Sequence, residues 1–385
     1  MKPRIHLIAP FHTIPNAAFS HCAFTGKSLR FVRMIQPLGY HLIEYANAGS
    51  EAGADEPVTM LSRDELEACC PPLGPTESHA RDAVIGSPAW HRFDMLLRQE
   101  MTKRVQPGDI IGHPFGRAHM GIVKLFPQAH HVETGIGYND APFGAWRIFE
   151  SEAWRHYHWG RYDHDAACAG DPGLNRFYSW VIPNYFDLEE WPLDNGSEDY
   201  VLFMGRIDPC KGLLVAADII QAWDKRHPGD GLKFVFAGQG NFDILRNQIG
   251  PDLHHRVDYR GSVLGRDRAA LVGKARCMIM PTQFTEPFGG AGIEGMLTGT
   301  PLVASDWGAF TETVTPGFNG YRCKTLGDWI LALEALDPTR TTLHRHAIAT
   351  RARERYSLQA CAALYDRAFQ QLRDLSGAGW YKIPT

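Results

Sequence analysis

Two short stretches carry the residue types best suited to chemistry. In Gly205-Arg206-Ile207-Asp208-Pro209-Cys210-Lys211-Gly212, two cations, Arg206 and Lys211, stand between glycines. Further on, Glu286 and Glu294 have seven residues between them, including Pro287-Phe288-Gly289-Gly290-Ala291-Gly292. Two cations beside a diphosphate would neutralise the charge of a leaving phosphate without a metal. Two carboxylates beside an anion seat suit a polyhydroxylated ligand that carries phosphate. One can accept hydrogen bonds from sugar hydroxyls, the other from a ribose. Together the two stretches describe a site for a nucleotide sugar.

The flanking sequence says how these residues are held. Val201-Leu202-Phe203-Met204 reads as a buried strand running into the cation loop. Cys277-Met278-Ile279-Met280-Pro281 and Pro301-Leu302-Val303-Ala304-Ser305 read as buried strands on either side of the carboxylate stretch. The carboxylate stretch is thus a strand, a loop bearing Glu286, a glycine-rich turn and a helix with Glu294 in its first turns. Glycines let the backbone approach a ligand closely, and a helix start offers unpaired N–H groups to an anion. Strands expected at 201–206, 233–238, 257–263, 277–282 and 301–306 alternate with helical stretches. One of these, 211–225, has Leu213, Leu214, Ala217, Ile220 and Trp223 at helical spacing. The alternation predicts a parallel, doubly wound α/β sheet, which places ligands at the strand-to-helix loops.

With Phe236-Ala237-Gly238-Gln239-Gly240 and Asp306-Trp307-Gly308-Ala309-Phe310-Thr311-Glu312-Thr313-Val314 added, residues 199–336 resemble the GT4 group of retaining glycosyltransferases. The resemblance implies a GT-B fold, with two Rossmann-like domains facing across a cleft and a C-terminal helix crossing back to the first. The expected division is 1–190 for the acceptor side, 191–356 for the nucleotide sugar, and 357–385 for the returning helix and tail. The implied reaction is hexosyl transfer with retention, with Arg206, Lys211 and Glu286 as the catalytic set. Gly205, Val263, Phe288, Gly289, Gly290, Ala291, Glu294, His113 and Gly26 are the implied donor contacts, and the base is placed near Gly261-Ser262-Val263. Glu133 and Tyr138 are the acceptor-side candidates. The loop after the first strand offers the single Gly26 where the family carries a glycine pair. The implied donor is a nucleotide sugar, a UDP-sugar ahead of GDP- or ADP-sugars. With no DxD motif, no metal and no other cofactor are expected.

The acceptor is less sharply defined. A glycan or a lipid-linked sugar leads, while a small metabolite and a modified DNA base stay open. The base would need a basic aromatic groove, and Arg147, Arg155 and Arg161 beside Trp146, Trp154 and Trp159 are compatible with one. Reading Glu286 and Glu294 as a glycosidase pair is disfavoured, because hydrolytic carboxylates face each other across a bond. A nucleotide-sugar-binding scaffold without transfer is the alternative from a different class. The intact charged residues argue against it.

Composition bounds the rest. The 385 residues suit two domains, and the net charge of −4 calls for no polyanionic partner globally. The eight cysteines show no CxxC spacing and read as reduced core residues of a cytosolic chain. The apolar run at the N-terminus is too short for a signal peptide, and no run approaches a membrane span. The expected location is the cytoplasm, with peripheral contact at the inner membrane face open. Oligomeric state is unreadable.

In the first half, strands are expected at 5–9, 40–46, 109–113, 130–136, 166–170 and 178–182, and helices near 26–38, 63–69 and 90–105. Residues 48–86 otherwise read as an irregular excursion. Lys27 reads as a surface helix residue, because the upstream glycine of a phosphate-binding Gly-Lys-Ser loop is missing. His156 and His158 stand too close together to ligate one metal from one helical face. Ser357 reads as the N-cap of a last helix with an apolar stripe from Leu358 to Leu372.

Overall fold

The computed structural model describes residues 3–19, 22–74, 77, 81–168, 179–194, 196, 198–341 and 343–377. The chain divides into two compact units. Unit 1 comprises Met1–Pro71, Arg81–Phe186 and Tyr356–Thr385, and unit 2 comprises Pro72–Ala80 and Asp187–Arg355.

Unit 1 is built on β1 (Arg4–Ile8), β2 (His41–Ala46), β3 (Glu56–Thr59), β4 (Ile110–Gly112), β5 (His130–Ile136), β6 (Trp146–Phe149) and β7 (Ser179–Val181). They form one sheet in the order β3-β2-β1-β4-β5-β6-β7, with every pairing parallel. Central strands such as β1 and β2 are buried along nearly their whole length, as a sheet covered on both faces requires. Unit 2 holds β8 (Tyr200–Met204), β9 (Lys233–Ala237), β10 (Val257–Tyr259), β11 (Cys277–Met280), β12 (Leu302–Ser305) and β13 (Gly320–Cys323). Their order is β10-β9-β8-β11-β12-β13, again wholly parallel.

The five strands expected in unit 2 are all present, each ending one to four residues sooner than expected. Strands β3, β6 and β13 were not anticipated. β3 and β13 are short edge strands, and in β3 only Val58 is buried, so neither writes an apolar run into the sequence. In β6, Arg147 interrupts the apolar pattern but is itself buried, its guanidinium 3.1 Å from the Asp163 carboxylate. The strand expected at 166–170 is corrected. Its described part lies in the helix His164–Cys168, which continues the helical run from Glu152 through a π turn at Trp159–Asp163. Residues 169–170 and 178, and the tail 378–385, lie outside the described residues.

Lys27 is also corrected. It sits on the helix Ala23–Ile35 but is only 4% exposed. Its ammonium donates to the Gly135 carbonyl at 2.9 Å and to the Glu150 carboxylate, which is also buried. Gly135 and Gly137 make the room: a Cβ on Gly137 would stand 2.4 Å from a Glu150 oxygen. The first two turns of this helix are buried on several faces, so spacing alone does not separate core from surface there.

The last helix, Leu358–Gly377, is N-capped by Ser357, whose Oγ accepts from the Ala360 amide at 3.2 Å. Its stripe of Cys361, Tyr365, Phe369 and Leu372 enters the same core as Phe31, Tyr40 and Leu42. Tyr40 donates to Asp366 at 2.8 Å.

Lys27→Met should leave Glu150 buried without its cation and cost about 3–5 kcal/mol of stability. Urea unfolding followed by circular dichroism measures it. The double variant Lys27→Met/Glu150→Leu is expected to recover most of that loss.

Candidate functional site

In unit 2 the chain runs from β8 outward through β9 to β10, and from β11 outward through β12 to β13. Loops leaving β8 and β11 therefore turn away from each other and open a crevice at the carboxyl ends of the strands. Both charged stretches leave these two strands. The loop after β8 forms a short 3-10 turn at Pro209–Lys211, where the Asp208 carboxylate accepts from the Cys210 amide at 2.9 Å. Gly212 follows at φ 85°, and a Cβ there would lie 1.8 Å from the Pro281 carbonyl oxygen. The Gln283 amide donates to the Cys210 carbonyl at 2.9 Å. The two loops are thus fastened together at backbone level.

Across this junction the Lys211 ammonium meets the Glu286 carboxylate at 2.8 Å, their side chains 18% and 10% exposed. The same ammonium lies 4.6 Å from the centre of the Phe284 ring. Glu286 is held from behind by the loop after β12. Its carbonyl accepts from the Ala309 amide at 3.0 Å, and Gly308, at φ +61°, lies so close that a Cβ would reach the Glu286 amide at 2.7 Å. The Trp307 indole donates to the Phe284 carbonyl at 3.2 Å. Arg206 is more open, 38% exposed, with Asp208 at 3.9 Å.

Gly289 starts the helix Gly290–Thr298 from the left-handed region, with no side chain capping it. The Gly292 amide donates to the Gly289 carbonyl, which leaves the amides of Gly290 and Ala291 ahead of the helical ladder. Phe288 is buried beneath this turn, 3% exposed. Gly292 and Gly295 bring the helix down onto the sheet, since a Cβ on either would lie 2.5 Å from Leu302 or Met278 respectively. Glu294, one turn into the helix, is gripped by the Arg268 guanidinium at 2.9 and 2.5 Å. Sequence reasoning missed Arg268. It stands on the helix Gly265–Lys274, whose charged residues look alike until the fold brings one to Glu294. Phe284 was missed as well. Gly205 follows β8, its amide donating to the Ala237 carbonyl at 3.0 Å, while Val263 lies in the loop after β10, half-buried.

The remaining expected residues lie in unit 1. Gly26 is inside the helix Ala23–Ile35, its amide donating to the Cys22 carbonyl. His113 follows β4, is 3% exposed, and lies with Nε2 3.0 Å from Nδ1 of His131. Burial holds its pKa well below the usual histidine range, and the neighbouring His131 acts in the same direction. Glu133 is fully buried and accepts from the phenol of the half-buried Tyr138. Glu133 also accepts from the amides of Phe143 and Gly144 at 3.1 and 2.8 Å. Burial pushes its carboxyl up to about 7, against the lowering effect of these donors. Among the described residues there is no group of three or more His, Cys, Asp or Glu able to hold a metal ion, and no helix is long and apolar enough to cross a membrane.

Comparison with known proteins places this geometry in context. Residues 198–336 match the family described as Glycosyl transferases group 1. The chain is 34% identical over 127 residues to a phosphatidyl-myo-inositol mannosyltransferase of Mycobacterium leprae, covering 31% of this chain and 32% of that protein. It is 31% identical over 161 residues to the glycogen synthase of Mycobacterium tuberculosis, covering 40% and 37%. The chain thus spans about a third of the length of these relatives. Among solved structures it resembles AviGT4, a glycosyltransferase involved in avilamycin A biosynthesis, with TM-score 0.65 and 17% identity, covering 96% and 98% of the two chains. It also resembles Anabaena HepE in complex with UDP and glucose, with TM-score 0.64 and 16% identity, covering 96% and 99%. The architecture is therefore the GT-B one, with two parallel-sheet Rossmann-like units.

The raised Glu133 carboxyl makes stability depend on pH. The folded chain keeps a proton that the unfolded chain releases at an ordinary carboxylate pKa of 4.5. Its stabilising effect is complete below that value and is lost as pH rises through about 7. Melting temperatures across that window should fall less steeply for Glu133→Gln than for the parent. Some slope will remain, because burial also pushes Glu44 up to about 7.

Proposed function

We propose that this protein is a retaining glycosyltransferase that moves a hexosyl group from a nucleoside-diphosphate sugar to an acceptor hydroxyl. The observation that carries this reading is the Lys211–Glu286 pair at the β8–β11 crevice, beside the uncapped start of the helix Gly290–Thr298. A cation, a carboxylate and free backbone donors converge where an α/β sheet binds ligands, and each has a partner group on a nucleotide sugar.

The anomeric C–O bond to the diphosphate breaks, and negative charge gathers on the departing phosphate oxygens. Arg206 and Lys211 neutralise that charge, and the amides at Gly290 and Ala291 donate to the same oxygens. In this scheme the cations and amides supply the charge stabilisation, so transfer proceeds without a metal. Glu286 accepts from hydroxyls of the donor sugar and orients the anomeric carbon. Glu294, itself positioned by Arg268, accepts from the ribose. Among the described residues of this unit, we assign no side chain as a covalent nucleophile. The acceptor hydroxyl then attacks from the leaving-group face, its proton passes to the departing phosphate, and configuration is retained.

The donor we favour is a UDP-sugar, as UDP is bound by the structurally similar HepE. The acceptor we favour is a glycan or lipid-linked sugar, in keeping with the names of the mannosyltransferase and glycogen synthase relatives. Such a reaction fits a cytoplasmic location, at the inner membrane face if the acceptor is lipid-linked.

The first test is thermal unfolding with UDP, GDP, ADP and their sugars, with and without magnesium. One nucleoside diphosphate at a hundred times its dissociation constant should add about 2.7 kcal/mol, independently of magnesium. No shift with any nucleotide would overturn the reading. With the donor so identified, Lys211→Ala should lose about 10²–10³-fold in kcat, as loss of a charge-stabilising donor does elsewhere. Glu286→Ala should abolish transfer while the circular dichroism spectrum stays that of the parent. Unchanged turnover in either variant would sink the assignment.

A further inference from the structure

At the carboxyl ends of β9 and β10, unit 2 carries an open groove of about 600 Å³. One side is aromatic. The rings of Phe242 and Tyr259 stack with centroids 4.5 Å apart and planes 6° from parallel. The Tyr259 hydroxyl donates to the Gly238 carbonyl at 2.8 Å, which fixes the ring. The Arg246 guanidinium lies 5.3 Å from the centre of the Phe242 ring. Ser262 borders the groove, and Pro72 and Leu73 line it as well.

Pro72 and Leu73 come from a distant part of the sequence. Pro72, Leu73 and Gly74 belong to unit 2, although Pro71 before them and Arg81 beyond them belong to unit 1. The Gln239 amide donates to the Gly74 carbonyl at 3.3 Å and ties this segment to the turn after β9. Nothing in the composition of the excursion at 48–86 marks these residues for a ligand site.

The groove begins beside the candidate active site. β9 and β10 follow β8 in the sheet, at the ~4.8 Å strand spacing. The turn after β9 is stitched to the Arg206 loop: the Ile207 amide donates to the Gln239 carbonyl at 2.8 Å. Gly238 lies so close that a Cβ would stand 1.7 Å from the Gly205 carbonyl oxygen. A diphosphate seated at the β8–β11 crevice would therefore send its nucleoside one or two strands across, into the groove.

Resting on the function proposed above, we propose that Pro72 and Leu73 form a wall of the nucleobase pocket, and that this inserted wall sets the choice of base. A planar base gains contact against flat aromatic and apolar surfaces, and a fixed apolar wall limits which ring fits.

The test is calorimetric titration of UDP, GDP, ADP and inorganic pyrophosphate into the parent, Leu73→Gly and Leu73→Ile. Expected for Leu73→Gly is about tenfold weaker binding of the preferred nucleoside diphosphate, a loss of the size that removing apolar contact in a pocket produces. Discrimination among the bases should narrow, with pyrophosphate binding unchanged, and Leu73→Ile should stay close to the parent. If nucleotides bind the parent and Leu73→Gly binds each of them as tightly as the parent does, the inference is wrong. If Leu73→Gly loses pyrophosphate to the same extent, the segment has only a structural role and the inference also fails. If no nucleoside diphosphate binds the folded parent, the donor reading itself falls.

Discussion

The Lys211–Glu286 contact is the constraint that the loops around it are arranged to satisfy. A charged pair at 2.8 Å, mostly withdrawn from water, holds only if both backbones are rigid. The sheet provides that rigidity by parting its connections between β8 and β11, and the glycines provide the proximity. Gly212 lets one loop touch the end of β11, and Gly308 lets a third loop brace Glu286 from behind. The pair also has a chemical consequence. In the proposed mechanism an entering phosphate draws Lys211 toward itself, which leaves Glu286 free to accept from sugar hydroxyls. The ion pair thus keeps two groups in place that act on different parts of one substrate.

What the sequence disclosed was what repeats or clusters. Regular alternation of apolar runs with helical stretches disclosed the sheet of unit 2. Arg206, Lys211, Glu286 and Glu294 stood out because each lies near glycine after a buried strand. What stayed hidden was long-range. Arg268 reaches Glu294 from 26 positions away, and Lys27 reaches Glu150 from 123. Local spacing carries no trace of such pairs. Edge strands β3 and β13 escaped for a related reason: an edge strand need not bury both faces, so it needs no continuous apolar run.

Unit 1 spends its polar residues differently. Lys27, Glu150, Glu133, Arg147 and Asp163 are buried and paired, Glu133 with the half-buried Tyr138. Each such group is costly to bury alone and tolerable only with its partner. A dense set of polar and aromatic residues in sequence is therefore an ambiguous sign. In unit 2 the corresponding charges lie along a crevice, whereas here much of the same chemistry holds the core together.

The last helix has a consequence for synthesis. Cys361, Tyr365, Phe369 and Leu372 belong to a core whose other members include Ile5, Phe31 and Leu42. On the ribosome those early residues emerge first but must wait for a partner made more than three hundred residues later. Unit 2, drawn almost entirely from the continuous stretch Asp187–Arg355, has no such wait. The order of synthesis is thus the reverse of the order in which the two cores can close: the second unit can be finished while the first still exposes apolar surface.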